Sequence, residues 1–117
     1  MQIEEFEREI EKALKTIPKE FIDKLKNIEI AVEDTAPEKN GSFLLGLYHG
    51  VPLSARGAVF EPLMPDKITL YKKSIEDFSH TPEELRKNIR DTVIHEIAHY
   101  FGLDEERLHQ IENAEDT

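Results

Sequence analysis

At 117 residues the chain has the length of one small domain, which excludes a catalytic domain joined to a separate regulatory one. Hydrophobic residues make up 38% and charged residues 34%, enough apolar content to bury a thin core and too much for a disordered chain. Lys and Arg number 15 against 25 Asp and Glu, a net charge of -10 that disfavours nucleic-acid binding through phosphate neutralisation. The absence of Cys excludes disulfides, thiolate-held metals and thiol nucleophiles, so any metal must be held by His, Asp or Glu. The first residues lack the basic start and apolar stretch of a secretion signal, and no window approaches the ~18 apolar residues of a membrane span. The expectation is a cytoplasmic protein with neither a membrane nor a nucleic acid as partner.

Ile3, Phe6, Ile10, Ala13, Leu14 and Ile17 recur at three-and-four spacing, which predicts an amphipathic helix ended by Pro18. A short second helix is expected from Pro18 through Phe21, Ile22 and Leu25. Ile28, Ile30 and Val32 then alternate with other residues as in a half-buried strand. Asp34 to Ser42 reads as a loop, and Phe43 to Tyr48 as a strand in which Gly46 marks a bulge or a close backbone approach. Ser54 to Asp66 is expected to be an ordered loop, followed by a third strand from Ile68 to Tyr71.

Thr81-Pro82-Glu83-Glu84 is a strong helix start, with Thr at the cap, Pro at the first helical position and Glu84 placed to close a capping box. The helix should run to about Phe101 and stop at Gly102, which takes the left-handed conformation without steric cost. Its second half, from Thr92 to Phe101, carries apolar residues around most of its circumference and is expected to be buried. Two imidazoles and a carboxylate in such a place need a compensating cation.

His95 and His99 are four residues apart, so they share one helix face a single turn from each other, with Glu96 beside them. This HExxH spacing suits one Zn²⁺ per chain. Two neutral imidazoles hold the metal, which lowers the pKa of a bound water to roughly 7, and Glu96 is the expected general base. A catalytic zinc needs a third protein ligand and keeps a fourth position for water. The turn at Gly102 returns the chain toward the metal, which makes Glu105 the first candidate, with Asp104 and then His109 as alternatives. Asp104 also suits the N-cap of a closing helix from Glu105 to Asn113. Asp91, one turn before His95, could orient an imidazole or simply face solvent. His49, His80, Tyr48, Tyr71, Tyr100 and Arg56 are further candidates for stabilising an oxyanion.

With Thr92-Val93-Ile94-His95-Glu96-Ile97-Ala98-His99-Tyr100-Phe101-Gly102-Leu103 and acids at 104 and 105, the chain resembles the small bacterial zincin-like metallopeptidases. Leu44-Leu45-Gly46-Leu47-Tyr48, Gly50, Pro52-Leu53, Pro65-Asp66 and Ile68 to Tyr71 look like the strand segments that precede the active-site helix there. The resemblance spans about residues 40 to 112. It implies an α+β fold, a minimal zincin-like domain over residues 1–117, with a small mixed sheet packed against the active-site helix and the N-terminal helices. It also implies zinc on His95, His99 and an acidic residue after Gly102, and a peptide or unfolded-protein substrate lying along the strand Phe43 to Tyr48. The chain departs from metzincins proper: Glu105 stands where those have His, and no Met follows the helix.

The leading expectation is a zinc-dependent hydrolase that cleaves peptide bonds. Two other readings stand beside it. One is a non-catalytic, metal-stabilised peptide-binding module, which four protein ligands including His109 would favour. The other resembles the zinc-dependent rRNA-processing endoribonucleases, against which stand Glu96, Glu105 and the acidic charge.

Overall fold

The structure, a computed structural model, describes residues 1–25, 28–35, 44–50 and 66–102. Helix α1 spans Ile3–Lys15 and α2 Lys19–Ile22; strands β1, β2 and β3 span Ile28–Glu33, Gly46–His49 and Asp66–Tyr71; α3 spans Lys72–Phe78 and α4 Pro82–Tyr100. Phe6, Ile10 and Ala13 are the buried stripe of α1, as the spacing requires, while Ile3 stays exposed at the helix start. Glu4 and Glu5 lie in its first turn and Lys12 and Lys15 in its last, the arrangement its dipole favours. The helix closes with Thr16, whose hydroxyl donates to the Ala13 carbonyl at 2.7 Å, and Pro18 then caps the single turn of α2.

The strands form a three-stranded mixed sheet in the order β1-β3-β2, with β1 parallel and β2 antiparallel to β3. The central strand β3 is buried along nearly its whole length, whereas β1 is only partly covered. Ile68 and Leu70 from β3, Phe6, Ile10 and Ala13 from α1, Ile75 from α3, and Ile89, Val93 and Ile97 from α4 make one core. Each large aliphatic or aromatic side chain fully buried there contributes about 1.5–3 kcal/mol. Helix α4 is the element that joins the layers, packing on α1, on α3 and on β2 and β3. The result is the expected α+β architecture, a small mixed sheet against a long helix.

Three boundaries differ from the sequence reading. Strand β2 begins at Gly46 and takes in His49; Leu44 and Leu45 precede it, and Phe43 lies outside the described residues. The Leu45 carbonyl still accepts from the Tyr71 amide at 2.9 Å, so the pairing to β3 reaches one residue before the strand proper. Strand β3 begins at Asp66, two residues earlier than expected, because β1 pairs with it from Ile28↔Asp66 onward. Helix α3 was not expected at all. It has one buried aliphatic, Ile75, and an exposed aromatic, Phe78, so it shows no amphipathic period. It is held by tertiary bonds: Asn88 of α4 donates to the Ser79 hydroxyl at 2.9 Å, which donates to the Ile75 carbonyl at 2.7 Å. The expected loop from Ser54 and the closing helix from Glu105 lie outside the described residues, apart from Asp66.

Candidate metal centre

Helix α4 starts as its sequence dictates. Thr81 is extended and its hydroxyl accepts from the Glu84 amide at 3.0 Å, with Pro82 in the first turn. The helix ends at Phe101, and Gly102 follows with φ 85°, the left-handed turn for which glycine is suited. Between these ends the helix sets the register of His95, Glu96 and His99. Thr92, Val93, Glu96, Ile97, Ala98 and Tyr100 are buried, but the second half is not enclosed all round. Ile94 is 36% exposed, and His95 and His99 are half-buried. The expectation of a helix apolar and covered on every side is therefore corrected: among the described residues, the sheet and α1 cover one face of α4, and Arg90, Asp91 and Ile94 on the other side are exposed. The burial cost falls on Glu96, which is only 6% exposed.

His95, Glu96 and His99 each bring one ligand atom within 4.8 Å of the others, a group able to hold a metal ion. The two imidazoles meet edge to face, with ring centroids 4.8 Å apart and planes at 82°. Nε2 of His99 lies 3.9 Å from Oε1 of Glu96. His99 occupies the last turn of α4, where the partial negative charge of the helix end favours a cation. Two imidazoles with a carboxylate beside them, and no thiol, fit zinc chemistry and accommodate other divalent transition metals.

Strand β2 comes up against this turn of the helix at Gly46. A Cβ built there would lie 2.8 Å from the Thr92 methyl carbon, 3.3 Å from Cγ of Glu96 and 3.3 Å from Cδ2 of Leu70. Gly46 is thus the close backbone approach that a glycine within a strand signals. Its partners on α4 were not legible in the sequence, because Thr92 carries no chemical signature of its own. The Thr92 hydroxyl donates to the Asn88 carbonyl at 2.6 Å, which holds its methyl toward the strand.

The other candidates separate. Asp91 forms an exposed ion pair with Lys87 at 3.0 Å, so its solvent-facing reading is the one observed. The Tyr48 hydroxyl donates to Oδ2 of the buried Asp66 at 2.9 Å, and the ring stacks edge-on against Tyr100 at 6.0 Å. Tyr100 is buried and its hydroxyl donates to the Lys24 carbonyl at 3.1 Å, tying α4 to the turn after α2. Burial, and then the charge of Glu33, pushes the Tyr71 phenol above its ordinary range. His49 and His80 are exposed; His80 lines an open depression with Glu5, Glu76 and Arg86, around the start of α4. Glu105, Asp104, His109 and Arg56 lie outside the described residues. No helix among the described residues is long and apolar enough to cross a membrane.

Comparison with known proteins agrees with this geometry. A solved structure of a conserved hypothetical protein from Thermus thermophilus is similar, with 25% identity, a TM-score of 0.60, and coverage of 86% of this chain and 94% of that one. No curated protein matches. The family profile of the zincin-like metallopeptidases matches residues 25–114, from the end of the N-terminal helices through the whole of α4. A match over that much of the chain, centred on a helix that carries His95, Glu96 and His99 together, shows that the chain belongs to the zincin-like metallopeptidase family.

Proposed function

We propose that this protein is a zinc-dependent peptidase in which His95, His99 and Glu105 hold one Zn²⁺ and Glu96 is the general base. The observation that carries the reading is the group of half-buried His95 and His99 with buried Glu96 on α4, their ligand atoms within 4.8 Å of one another and Glu96 beside strand β2. A zinc ion held there supplies Lewis acidity for the scissile carbonyl and a water whose pKa is lowered to roughly 7. With the metal bound, Glu96 would be the base, taking up a proton on its carboxylate and returning it to the leaving amine nitrogen. The surroundings suit that role, because Glu96 is shielded from solvent while the two imidazoles stand half-open beside it.

The backbone of β2 supports a peptide substrate. The Tyr71 to Leu45 hydrogen bond and the antiparallel register turn the backbone groups of Leu45, Leu47 and His49 toward β3. Those of Gly46 and Tyr48 therefore face away from β3, on an edge that borders no other strand among the described residues. An extended peptide adding to that edge would bond to Gly46 and Tyr48 next to Glu96, the β-augmentation mode of recognition. A location in the cytoplasm, and an unfolded protein or short peptide as substrate, belong to the same proposal.

The test combines zinc analysis of the desalted protein with cleavage of an unfolded polypeptide. One zinc per chain together with chelator-sensitive cleavage is the expected result. Stoichiometric zinc without cleavage of any peptide would favour a metal-stabilised binding module, and no zinc at all would reject the centre.

A further inference from the structure

Gly46 does more than permit a close approach. Its neighbour Thr92 is buried, β-branched and therefore stiff at χ1, and is pinned through its hydroxyl to Asn88, which is itself bonded to Ser79. The methyl carbon of Thr92 thus presents a fixed surface 2.8 Å from where a Cβ at position 46 would stand. Beyond that surface, one helical turn on, Cγ of Glu96 is 3.3 Å from the same point. At Gly46 the strand meets α4 with backbone rather than with a side chain, and the stem of Glu96 is one wall of that contact. Gly46 has no positive φ, so the requirement for glycine is steric and not conformational.

We propose that Gly46 is a positioning residue for Glu96: the missing side chain at 46, seated against the Thr92 methyl group, sets the separation of β2 from α4, and that separation holds the Glu96 carboxylate at its working height above the helix. The role assigned to the carboxylate rests on the peptidase reading; its placement by Gly46 does not. An alanine at position 46 must displace the Thr92 methyl group and press on the Glu96 stem, because interiors are packed too tightly to absorb a carbon at 2.8 Å.

The experiment compares Gly46→Ala, Thr92→Ser and the double variant. Gly46→Ala lowers the melting temperature by about 5 °C or more. Thr92→Ser removes the obstructing methyl group while keeping the hydroxyl for Asn88, so in the double variant most of that loss returns. The 3.3 Å contact with Glu96 remains, so the double variant keeps its zinc and its KM for an unfolded polypeptide while kcat falls about tenfold. The Glu96 methylene NMR resonances shift in the double variant and stay in place in Thr92→Ser alone. A Gly46→Ala protein as stable as the parent overturns the proposal, as does a double variant with parental kcat and unshifted resonances. Zinc lost from the double variant also overturns it, since the ligands rather than the base would then have moved. If the parent binds zinc but cleaves nothing, the peptidase reading falls, and the melting temperatures and resonances still decide the placement of Glu96.

Discussion

The hydroxyl of Tyr48 donates to Oδ2 of Asp66 at 2.9 Å, so the edge strand is tied by a side chain to the first residue of the central strand. Asp66 is 5% exposed, and the Tyr48 ring also stacks on Tyr100, one residue beyond His99. Tyr48→Phe keeps the ring and removes the donor. The expected cost is about 1–3 kcal/mol, because a buried carboxylate loses a hydrogen bond it cannot replace with water. Urea denaturation measures it, and a variant within about 0.3 kcal/mol of the parent, the scatter of an inert surface change, would show that the bond contributes nothing.

Glu96→Gln separates the base from the ligands. The amide keeps the shape of the buried side chain but cannot take up a proton. The variant should retain one zinc per chain, by the proposal above, and lose at least about a hundredfold in turnover. Retained turnover would remove Glu96 from the mechanism.

His99→Ala removes an imidazole from the last turn of α4 and should abolish stoichiometric zinc, along with the rise in melting temperature that zinc is expected to give the parent. Glu105→Ala should weaken zinc binding without abolishing it, because two imidazoles remain. Melting curves with and without chelator check both; equal zinc affinity in Glu105→Ala and the parent would pass the third position to Asp104 or His109.

Glu76 on α3 accepts from Lys72 at 2.9 Å and from the α-amino group of Met1 at 3.0 Å. Burial alone raises its carboxyl, but these hydrogen bonds and positive charges outweigh it and hold the group below the usual carboxylate range. A depressed folded-state pKa stabilises the fold above the unfolded value, and that contribution disappears as the pH falls through the depressed one. The parent should therefore lose stability relative to Glu76→Gln between about pH 6 and pH 3, by a few tenths to about 1 kcal/mol. Parallel stability curves for the two proteins would show that the pair has no net effect.

Thr81→Ala deletes the acceptor for the Glu84 amide at the head of α4 and should cost about 1 kcal/mol, with Thr81→Ser nearly neutral. The cap is far along the helix from His95, so zinc content should not change. A loss of zinc in Thr81→Ala would mean that the whole of α4 depends on this cap.

What the sequence alone determined is the local part of this protein. The limits of α4 follow from Thr81, Pro82 and Gly102, and the shared face of His95 and His99 follows from helical periodicity, because caps and four-residue spacing act within a turn or two of chain. The buried stripe of α1 and the positions of β1 and β3 were legible for the same reason. Long-range packing decided the rest. Helix α3 exists because Ser79 and Ile75 meet α4, the start of β3 is set by pairing with Ile28, and Ile94 is open because the sheet and α1 cover only one side of α4. The contact of Gly46 with Thr92 and Glu96 joins residues about fifty positions apart. A glycine in a strand announces that something comes close, and only the tertiary structure says that it is the stem of the candidate base.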